Sequence, residues 1–400
     1  MNSCSGRRPR IMASSLSLPQ NTITDILSRL PVKSLTRFKL VSKNWAHLTS
    51  TPAFIAAHLR RSSSDPSLLI RRYRIHNGSE FGFWLITNPT RKFRSQLLDF
   101  PSEESLLRLP KIVGSVDGLV CLDVSPCYAS DFVLWNPGTK QFKHLPFPLI
   151  TSSKSNPIWL VFLGFGFDSF NNDYKLVRIV SFKRSDASPF LRVEVYSWRE
   201  GVWKEIEESF DSTLLCGVPE GVVVDGSLNW LAIGLQDFAD RKFVISFDMG
   251  REVFKRIALP AVTRFGNVKV MSYMGLLAIA VYPLVFAANG INMNRFEFWV
   301  QSDGEDGSKH WTRMVAIENF SKTLVPMGTW RDREVVIKHI GVNDRENYPS
   351  LLLYDPVDEG TKRLPVDGVD FCVEGYSYVE SLVSVNEEAK MVVEQKHSRN

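Results

Sequence analysis

Histidine and cysteine are the side chains most often used for nucleophilic, acid–base and metal chemistry, and their spacing in this chain suits none of these. The chain has seven histidines and five cysteines among its 400 residues. The histidines show neither i, i+4 nor finger-like spacing, and there is no Cys-x-x-C pair. We therefore expect no metal and no cofactor. An odd number of scattered cysteines also fits a reducing, intracellular compartment, so the expected location is the nucleus, the cytoplasm or both.

Two further patterns could be taken for active-site motifs, and both are better explained as backbone structure. Residues 164–167 (Gly-Phe-Gly-Phe) have the paired glycines of a phosphate loop, but no third glycine, Lys-Ser pair or helix follows, so they predict a β-strand. Asp117, Asp225 and Asp355 each lie in a predicted turn, where an aspartate bonds its own backbone. No Gly-x-Ser-x-Gly elbow is present, and the sequence predicts no catalytic residue.

The composition is that of an ordinary globular protein and does not suggest a nucleic-acid or membrane partner. Hydrophobic residues make up 44% of the chain, charged residues 23%, and the net charge is +5. The basic residues form small groups, at 7–10, 60–61 and 71–74, which we interpret as solvated tail or linker positions. The longest apolar stretch, residues 274–288, contains a proline and is shorter than the roughly 20 residues of a membrane-spanning helix.

Residues 18–60 have the pattern of short amphipathic helices. The apolar residues between positions 23 and 30 follow i, i+3, i+4, i+7 spacing, which indicates one buried helical face. Thr22, three residues ahead of Asp25, predicts a capping box at the start of this helix. Pro31 predicts its end, because proline has no N–H and disfavours helical geometry in the residue before it.

Three more helices are predicted in the same segment. Ser34 and Ser42 are suited to cap the second and third, and Thr51 followed by proline predicts the start of the fourth. Residues 61–69, which are polar and rich in serine, then predict a linker.

From about residue 70 onward the sequence alternates aromatic and β-branched runs with turn residues, which predicts an all-β domain. A repeated unit consists of a strand with an aromatic residue, a polar turn, and a return strand with a second aromatic residue. One anchor residue per unit recurs at separations of 50 to 61 positions: Leu85, Trp135, Tyr196, Phe247, Trp299 and Tyr354.

A second hairpin precedes most anchors, so each repeat supplies four strands, and six repeats predict a six-bladed β-propeller. The last strands, near residues 376–385, would pair with the first, near 70–86, and close the ring. Tryptophans at repeated places are expected to pack between blades; they are Trp135, Trp203, Trp230 and Trp311. Loops that do not repeat are the candidates for binding; they are 149–156, 182–190, 235–241, 301–309 and 342–349.

The helical segment is too small to bury much apolar surface alone, since domains below about 40 residues usually need a metal, disulfides or a partner. From its composition, packing on the β domain and docking on a second protein are both open. Residues 18–45, which include Ile-Leu-Ser-Arg-Leu-Pro-Val-Lys-Ser-Leu at 26–35, resemble the F-box of plant proteins, although Thr51 stands where an aspartate often precedes the proline. This resemblance implies docking on a Skp-type adaptor. The residues that would form or support the adaptor face are Leu18, Pro19, Ile26, Leu27, Leu30, Pro31, Val32, Leu35, Val41 and Trp45.

The β region in turn resembles the F-box-associated domain, a kelch-like arrangement. The similar motifs are Gly-Ser-Val-Asp-Gly-Leu-Val-Cys at 114–121, Leu-Trp-Asn-Pro at 134–137 and Gly-Phe-Gly-Phe-Asp at 164–168. The double glycines of true kelch repeats are missing. The implied organisation is a disordered tail at 1–17, an F-box at 18–60, a linker at 61–69, the β-propeller domain at 70–387 and a disordered tail at 388–400.

The two resemblances together imply a substrate-recognition subunit of a Skp-cullin-F-box (SCF) ubiquitin ligase. In such a subunit the F-box docks on the adaptor, and through it on a cullin-RING ligase, while the β domain binds the target protein. It would not be an enzyme. Two alternatives remain at this stage: a β-propeller scaffold without a ligase role, and a propeller enzyme, which would need a metal or paired acids at the mouth of its axial channel. The sequence does not identify target-binding residues.

Overall fold

The computed structural model describes residues 18–74, 80–88, 93–100, 109–125, 130–182, 190–207, 220–234, 242–283, 295–304, 308–318, 323–331, 333–340, 350–358, 360–366 and 372–386. The two predicted tails lie outside these ranges. In the part of the chain that is described, four α-helices precede a series of 24 β-strands. Among these helices, none is long and apolar enough to cross a membrane.

The N-terminal segment folds into the four predicted helices. Two of the predicted caps are confirmed: Ser42 Oγ accepts the Trp45 N–H at 3.4 Å, and Thr51 Oγ1 accepts the Phe54 N–H at 3.3 Å. These bonds satisfy N–H groups that have no partner within a first helical turn. The helices are α1 Gln20–Ser28, α2 Val32–Val41, α3 Lys43–Thr49 and α4 Pro52–Ser62.

The first two helices begin earlier than the sequence predicts, so the caps expected at Thr22 and Ser34 are wrong. Pro19 and Pro31 occupy the N-cap positions instead. Their fixed φ places each carbonyl to accept the first helical N–H groups, and the Pro19 oxygen lies 2.9 Å from the Thr22 nitrogen. Because α4 continues to Ser62 and the first strand starts at residue 67, the connection without regular structure is residues 63–66.

Six four-stranded antiparallel sheets follow, and each is one blade of a β-propeller. The strands of each blade are given in order from the central axis of the propeller outward. Blade 1 is β24 Cys372–Tyr378, β1 Ser67–Arg74, β2 Glu80–Thr87 and β3 Arg94–Leu97, and blade 2 is β4 Lys111–Val116, β5 Leu119–Asp123, β6 Phe132–Asn136 and β7 Gln141–His144. Blade 3 is β8 Ile158–Asp168, β9 Asp173–Phe182, β10 Phe190–Ser197 and β11 Val202–Ile206. Blade 4 is β12 Val222–Val224, β13 Ser227–Ile233, β14 Lys242–Asp248 and β15 Val253–Ala258; blade 5 is β16 Asn267–Tyr273, β17 Leu276–Tyr282, β18 Arg295–Asp303 and β19 Lys309–Glu318; blade 6 is β20 Thr323–Trp330, β21 Glu334–Ile340, β22 Ser350–Tyr354 and β23 Thr361–Arg363.

The six-bladed prediction is confirmed, and the repeat is placed correctly. Each of the six anchor residues lies in the third strand of its blade. The inner strands contact one another around a ring, from β24 through β4, β8, β12, β16 and β20 back to β24. Two inner strands approach especially closely at Gly328, where a Cβ atom would lie 2.7 Å from the Gly375 carbonyl oxygen.

The ring closes inside blade 1, where β24 pairs with β1. Pairing of the last strand with the first is as predicted, but its range differs. The paired residues are 372–378 and 67–73, and the chain leaves the sheet after Tyr378. Residues 379–386 continue beyond the edge of the ring and are not part of β24.

Large aromatic residues fill the gaps between blades, as the repeat predicts. Trp135 is fully buried between blades 1 and 2, with its ring 5.3 Å from that of Phe83 and 5.2 Å from that of Phe100. Trp230 is fully buried between blades 3 and 4 and donates to the Leu163 carbonyl at 2.7 Å. Trp203 packs between blades 2 and 3, and Trp311 packs between blades 4 and 5.

The basic group at 71–74 does not lie in a linker, so this interpretation is wrong. Arg71 and Arg72 are buried in β1, the second strand of blade 1. Arg71 forms an ion pair with Glu374 at 3.1 Å, and the Arg72 guanidinium lies 5.2 Å from the Trp84 ring centre. A strand covered on both sides can hold arginine because each charge has a partner.

The propeller has two faces that differ in what emerges from them. One face of the propeller carries the turns that join the first strand of each blade to the second and the third strand to the fourth. We call it the helical face. There Gly138, in a turn of blade 2, lies against Val32 of α2, and Trp330 of blade 6 donates to the Pro66 carbonyl at 2.7 Å. Connections between second and third strands, and between blades, emerge on the opposite face, the distal face.

Candidate docking surfaces

The first candidate surface is the apolar surface that the helices leave uncovered. Four large hydrophobic side chains of this segment are exposed: Leu18 (55%), Ile26 (47%), Leu40 (88%) and Val41 (77%). Leu40 and Val41 lie at the C-terminal end of α2 and point away from the face that carries Leu35. Four such side chains between positions 18 and 41 make these helices the first candidate for a protein-binding surface.

The residues predicted to form or support an adaptor face divide into three groups by exposure. Leu27, Val32 and Leu35 are buried in the core of the helical segment. Leu30 and Trp45 are half-buried against the same core. The exposed members are Leu18, Pro19, Ile26, Pro31 and Val41.

Sequence reasoning did not include Leu40, the most exposed of these side chains. The helical period of α2 could have found it, because Val32 and Leu35 define a buried face to which Leu40 does not belong. The F-box resemblance indicates positions at which certain residue types recur in the family, whereas the helical period of α2 indicates which of its side chains face outward.

Asp25 forms two ion pairs on the surface beside this apolar region, and one of them connects α1 to α4. Asp25 accepts from Arg29 at 3.0 Å and also from Arg61 of α4. Desolvation opposes ionisation of Asp25, but the hydrogen bonds and charges of the two arginines hold the pKa of this carboxyl below its usual value. These polar contacts hold the two helices side by side.

The second candidate surface is the distal face next to blades 2 and 3, where a buried ion pair fixes a loop. Arg178 and Glu194 are paired with their side chains at 1% and 0% exposure. Glu194 accepts the backbone N–H groups of Leu149 and Ile150 at 2.8 and 3.0 Å, and Arg178 donates to the Ile150 carbonyl at 2.8 Å. Burial raises the pKa of Glu194, although the charge of Arg178 and the two N–H donors favour its ionised form.

This fixed loop and the strand after it carry exposed apolar side chains. Phe147 is 76% exposed, Leu149 58% and Trp159 50%. Trp159 lies at a register shift between Ile158 and Leu160, at the distal end of β8. A bulge of this kind re-aims a side chain, and a half-exposed tryptophan on a rigid support is a frequent anchor in protein interfaces.

The structure describes only part of the non-repeated loops. Residues 149–156 are described and belong to the fixed loop on the distal face. Of the loop 301–309, residues 301–303 belong to β18 and residue 309 to β19, while residues 305–307 lie outside the described residues. Most of 182–190 and all of 235–241 lie outside the described residues, as do residues 342–349.

All three aspartates lie in turns, as predicted, and the expected bond to the local backbone is seen at Asp355. Asp117 and Asp225 have positive φ angles of 50° and 45° and each precedes a glycine that also has positive φ, as a tight hairpin turn requires. Asp355 Oδ1 accepts the N–H groups of Val357 and Asp358 at 2.9 and 3.4 Å. Among the described residues, no group of three or more His, Cys, Asp or Glu side chains could hold a metal ion.

The axial channel is narrow and holds a cavity of about 240 Å³. Its lining comes from the inner strands of all six blades and from Glu220 and Gly221 just ahead of β12. Glu220 and Lys269 contribute charges to this cavity, and burial raises the pKa of Glu374 close by. The cavity is smaller than the sites of most drug-sized ligands.

Two family models match this chain. The F-box associated beta propeller domain matches residues 75–387, and the F-box domain matches residues 15–56. The propeller match alone covers more than half of the chain. The helical segment and the propeller seen in the structure follow each other in the same order as these two matches and overlap them.

Similar proteins occur in Arabidopsis thaliana. The F-box protein CPR1 is 29% identical over 65% of this chain and 64% of its own length. An F-box/kelch-repeat protein is 26% identical over 94% of this chain and 98% of its own length. Among solved structures, the β-propeller domain of a trilobed protease from Pyrococcus furiosus aligns with a TM-score of 0.40 and 11% identity, over 77% of this chain and 98% of that one. The two family matches show that the chain belongs to the F-box proteins that carry an F-box-associated β-propeller domain.

Proposed function

We propose that this chain is the substrate-recognition subunit of an SCF ubiquitin ligase, in which the helical segment docks on a Skp-type adaptor and the propeller binds a target protein. The observation that carries the proposal is the set of exposed apolar side chains on helices of an F-box. The chain itself would catalyse nothing, and the transfer of ubiquitin would be performed by the other subunits of the ligase.

The adaptor surface is tested with two substitutions that add charge without touching a core. Ile26→Asp together with Val41→Asp is expected to weaken binding to a Skp-type adaptor by roughly 30-fold, as for loss of a hot spot worth about 2 kcal/mol. Both side chains are exposed, at 47% and 77%, so the helices should remain folded. Isothermal titration of the purified full-length chain with the adaptor measures the effect.

The matched control is Val357→Asp, which adds the same charge at a valine that is 57% exposed in a propeller turn. This control should bind the adaptor as the wild type does. Equal adaptor affinity in the control and in the double variant would contradict the adaptor surface and would favour the reading of the chain as a scaffold outside the ligase.

We assign target binding to the distal face beside blades 2 and 3. The support is the combination of a loop held by a buried ion pair and three exposed apolar side chains on or next to it. A rigid support lowers the entropy lost when a partner binds. The helical face is less suited to this role over blade 2, where α2 packs on the propeller.

The target surface is tested by affinity capture from cells in which the proteasome is inhibited. Phe147→Ser with Trp159→Ser is expected to lose at least one protein that the wild type retains, because it removes two aromatic anchors. The control is Phe170→Ser, an 83% exposed aromatic residue in a turn of the helical face. Each retained protein is then tested for direct binding to the purified chain. Direct binding that is equal for wild type, double variant and control would place the target surface elsewhere.

A further inference from the structure

The chain continues beyond the last strand as a strap, residues 379–386, that crosses the helical face of the propeller. The strap has no regular secondary structure. It leaves blade 1 at Tyr378 and runs between the four helices on one side and blades 2 and 3 on the other. Its residues contact both parts of the molecule.

Towards the helices, the strap supplies one core residue and one helix cap. Leu382 is 4% exposed and packs with Leu35, Phe54 and their neighbours in the core of the helical segment. The Glu380 carboxylate accepts the N–H of Val32, the first residue of α2, at 3.1 Å. A carboxylate at this place satisfies a free amide of the first turn and interacts favourably with the helix dipole. The proline at the N-cap has no side-chain acceptor for this amide.

Towards the propeller, the strap is held by a buried amide and by two valines. Asn136, at the end of β6, is fully buried and donates its Nδ2 hydrogens to the carbonyls of Ser381 and Val383 at 3.1 and 2.7 Å. Val383 and Val385 are buried in the cluster between blades 2 and 3. Leucine and valine at adjacent positions therefore enter two different cores.

The strap packs closely against the turn between β4 and β5 of blade 2. Gly118 has φ +80°, and a Cβ atom there would lie 2.4 Å from Ser381 Cβ and 2.7 Å from the Val379 oxygen. The connection between α4 and β1 is also held on the propeller, because Asp65 in this connection forms an ion pair with Arg331 of blade 6 at 2.5 Å. The helical segment is thus held on the propeller at this connection and at the strap, in addition to the direct contact of Val32 with Gly138.

We propose that the strap is a coupling element that holds the F-box in one orientation relative to the propeller, and that Leu382, Asn136 and Glu380 are positioning residues for ubiquitin transfer. Motion between domains is the normal expectation unless their interface is large and apolar. Here the covalent connection is four residues, 63–66, and the strap adds packing that is continuous with both cores. The role in transfer rests on the proposed function, because the F-box orientation fixes where a bound target lies relative to the rest of the ligase, and reaction rates are sensitive to such placement.

The test measures orientation in the full-length chain, with and without an adaptor. Spin labels at positions 43, in α3, and 309, in β19, report the distance between the two parts by pulsed dipolar spectroscopy. The wild type should give one narrow distance distribution. Leu382→Ser and, separately, Asn136→Ala should widen it roughly twofold, as expected when a local unit is released. The ubiquitin acceptor is a protein that the capture experiment retains and that binds the purified wild type directly. In the assembled ligase, both variants should bind the adaptor and this protein normally but transfer ubiquitin to it more slowly.

The matched control is Asn229→Ala. Asn229 is likewise a buried asparagine whose Nδ2 donates to two carbonyls, those of Val222 and Ser227, but it lies in blade 4, away from the strap. Loss of helical circular dichroism would show that Leu382→Ser disturbs the helices themselves. In that case the distance distribution of Asn136→Ala tests the coupling role, because the Asn136 side chain lies outside the helical core. Narrow distributions in Asn136→Ala and in any folded Leu382→Ser would overturn the coupling role. Failure to bind an adaptor would instead overturn the proposed function, while the distance distributions would still decide on the strap.

Discussion

Replacing Glu194 with alanine is expected to destabilise the propeller by about 3–5 kcal/mol, the range measured when one partner of a buried ion pair is removed. The change leaves the Arg178 guanidinium in a site where its side chain is 1% exposed. It also leaves the N–H groups of Leu149 and Ile150 without their acceptor. Urea-induced unfolding followed by tryptophan fluorescence measures the change in free energy.

An exposed pair in the same blade provides the control. Arg192 and Glu205 form an ion pair with side chains 41% and 36% exposed, so Glu205→Ala should cost no more than about 1 kcal/mol. The double variant Arg178→Met, Glu194→Leu should be more stable than Glu194→Ala, since it removes both charges from the buried site. A cost for Glu194→Ala no greater than that for Glu205→Ala would show that the pair does not support the fold.

Trp135→Ala is expected to cost about 3–5 kcal/mol, because it leaves a large cavity between blades 1 and 2. The indole is fully buried against Phe83 and Phe100. Thermal or chemical unfolding of the full-length chain measures this loss. Blade 2 should also become more open to hydrogen exchange than blade 5.

The control for this substitution is Trp159→Ala. Trp159 is 50% exposed on the distal face, so its removal should change stability by less than about 1 kcal/mol. If the two substitutions had equal effects on stability, the interpretation of the anchor aromatics as packing between blades would fail. The two tryptophans therefore separate a structural role from a binding role.

Features that repeat along the chain could be predicted from the sequence. The six anchors, including Trp135 and Phe247, all lie in third strands, because the repeat places a large apolar or aromatic side chain at the same position of every blade. Predictions from a few neighbouring residues were also correct where a single side-chain hydrogen bond sets the start of a helix, as at the N-caps Ser42 and Thr51. They failed at Ser34, because Pro31 already provided a helix start.

Features that depend on partners far apart in sequence could not be predicted. Arg71 meets Glu374 across 303 positions, and no local pattern distinguishes such a buried arginine from a solvated one. Leu382 completes a core made by residues more than 300 positions earlier in the chain, and only the closed ring brings it there. For the F-box, the resemblance identified the segment that the family match confirms, but which of its side chains are exposed depends on packing.

The position of β24 also affects how the protein is made. Because this last strand is the innermost strand of blade 1, which begins with β1 at Ser67, a ribosome must add some 300 further residues before the ring can close. At common synthesis speeds this takes roughly 15 to 60 s. During that time the edge of β1 that later pairs with β24 is free to pair wrongly, and α2 lacks its contact with Glu380. A nascent chain that stops early therefore carries an F-box without the strap that orients it.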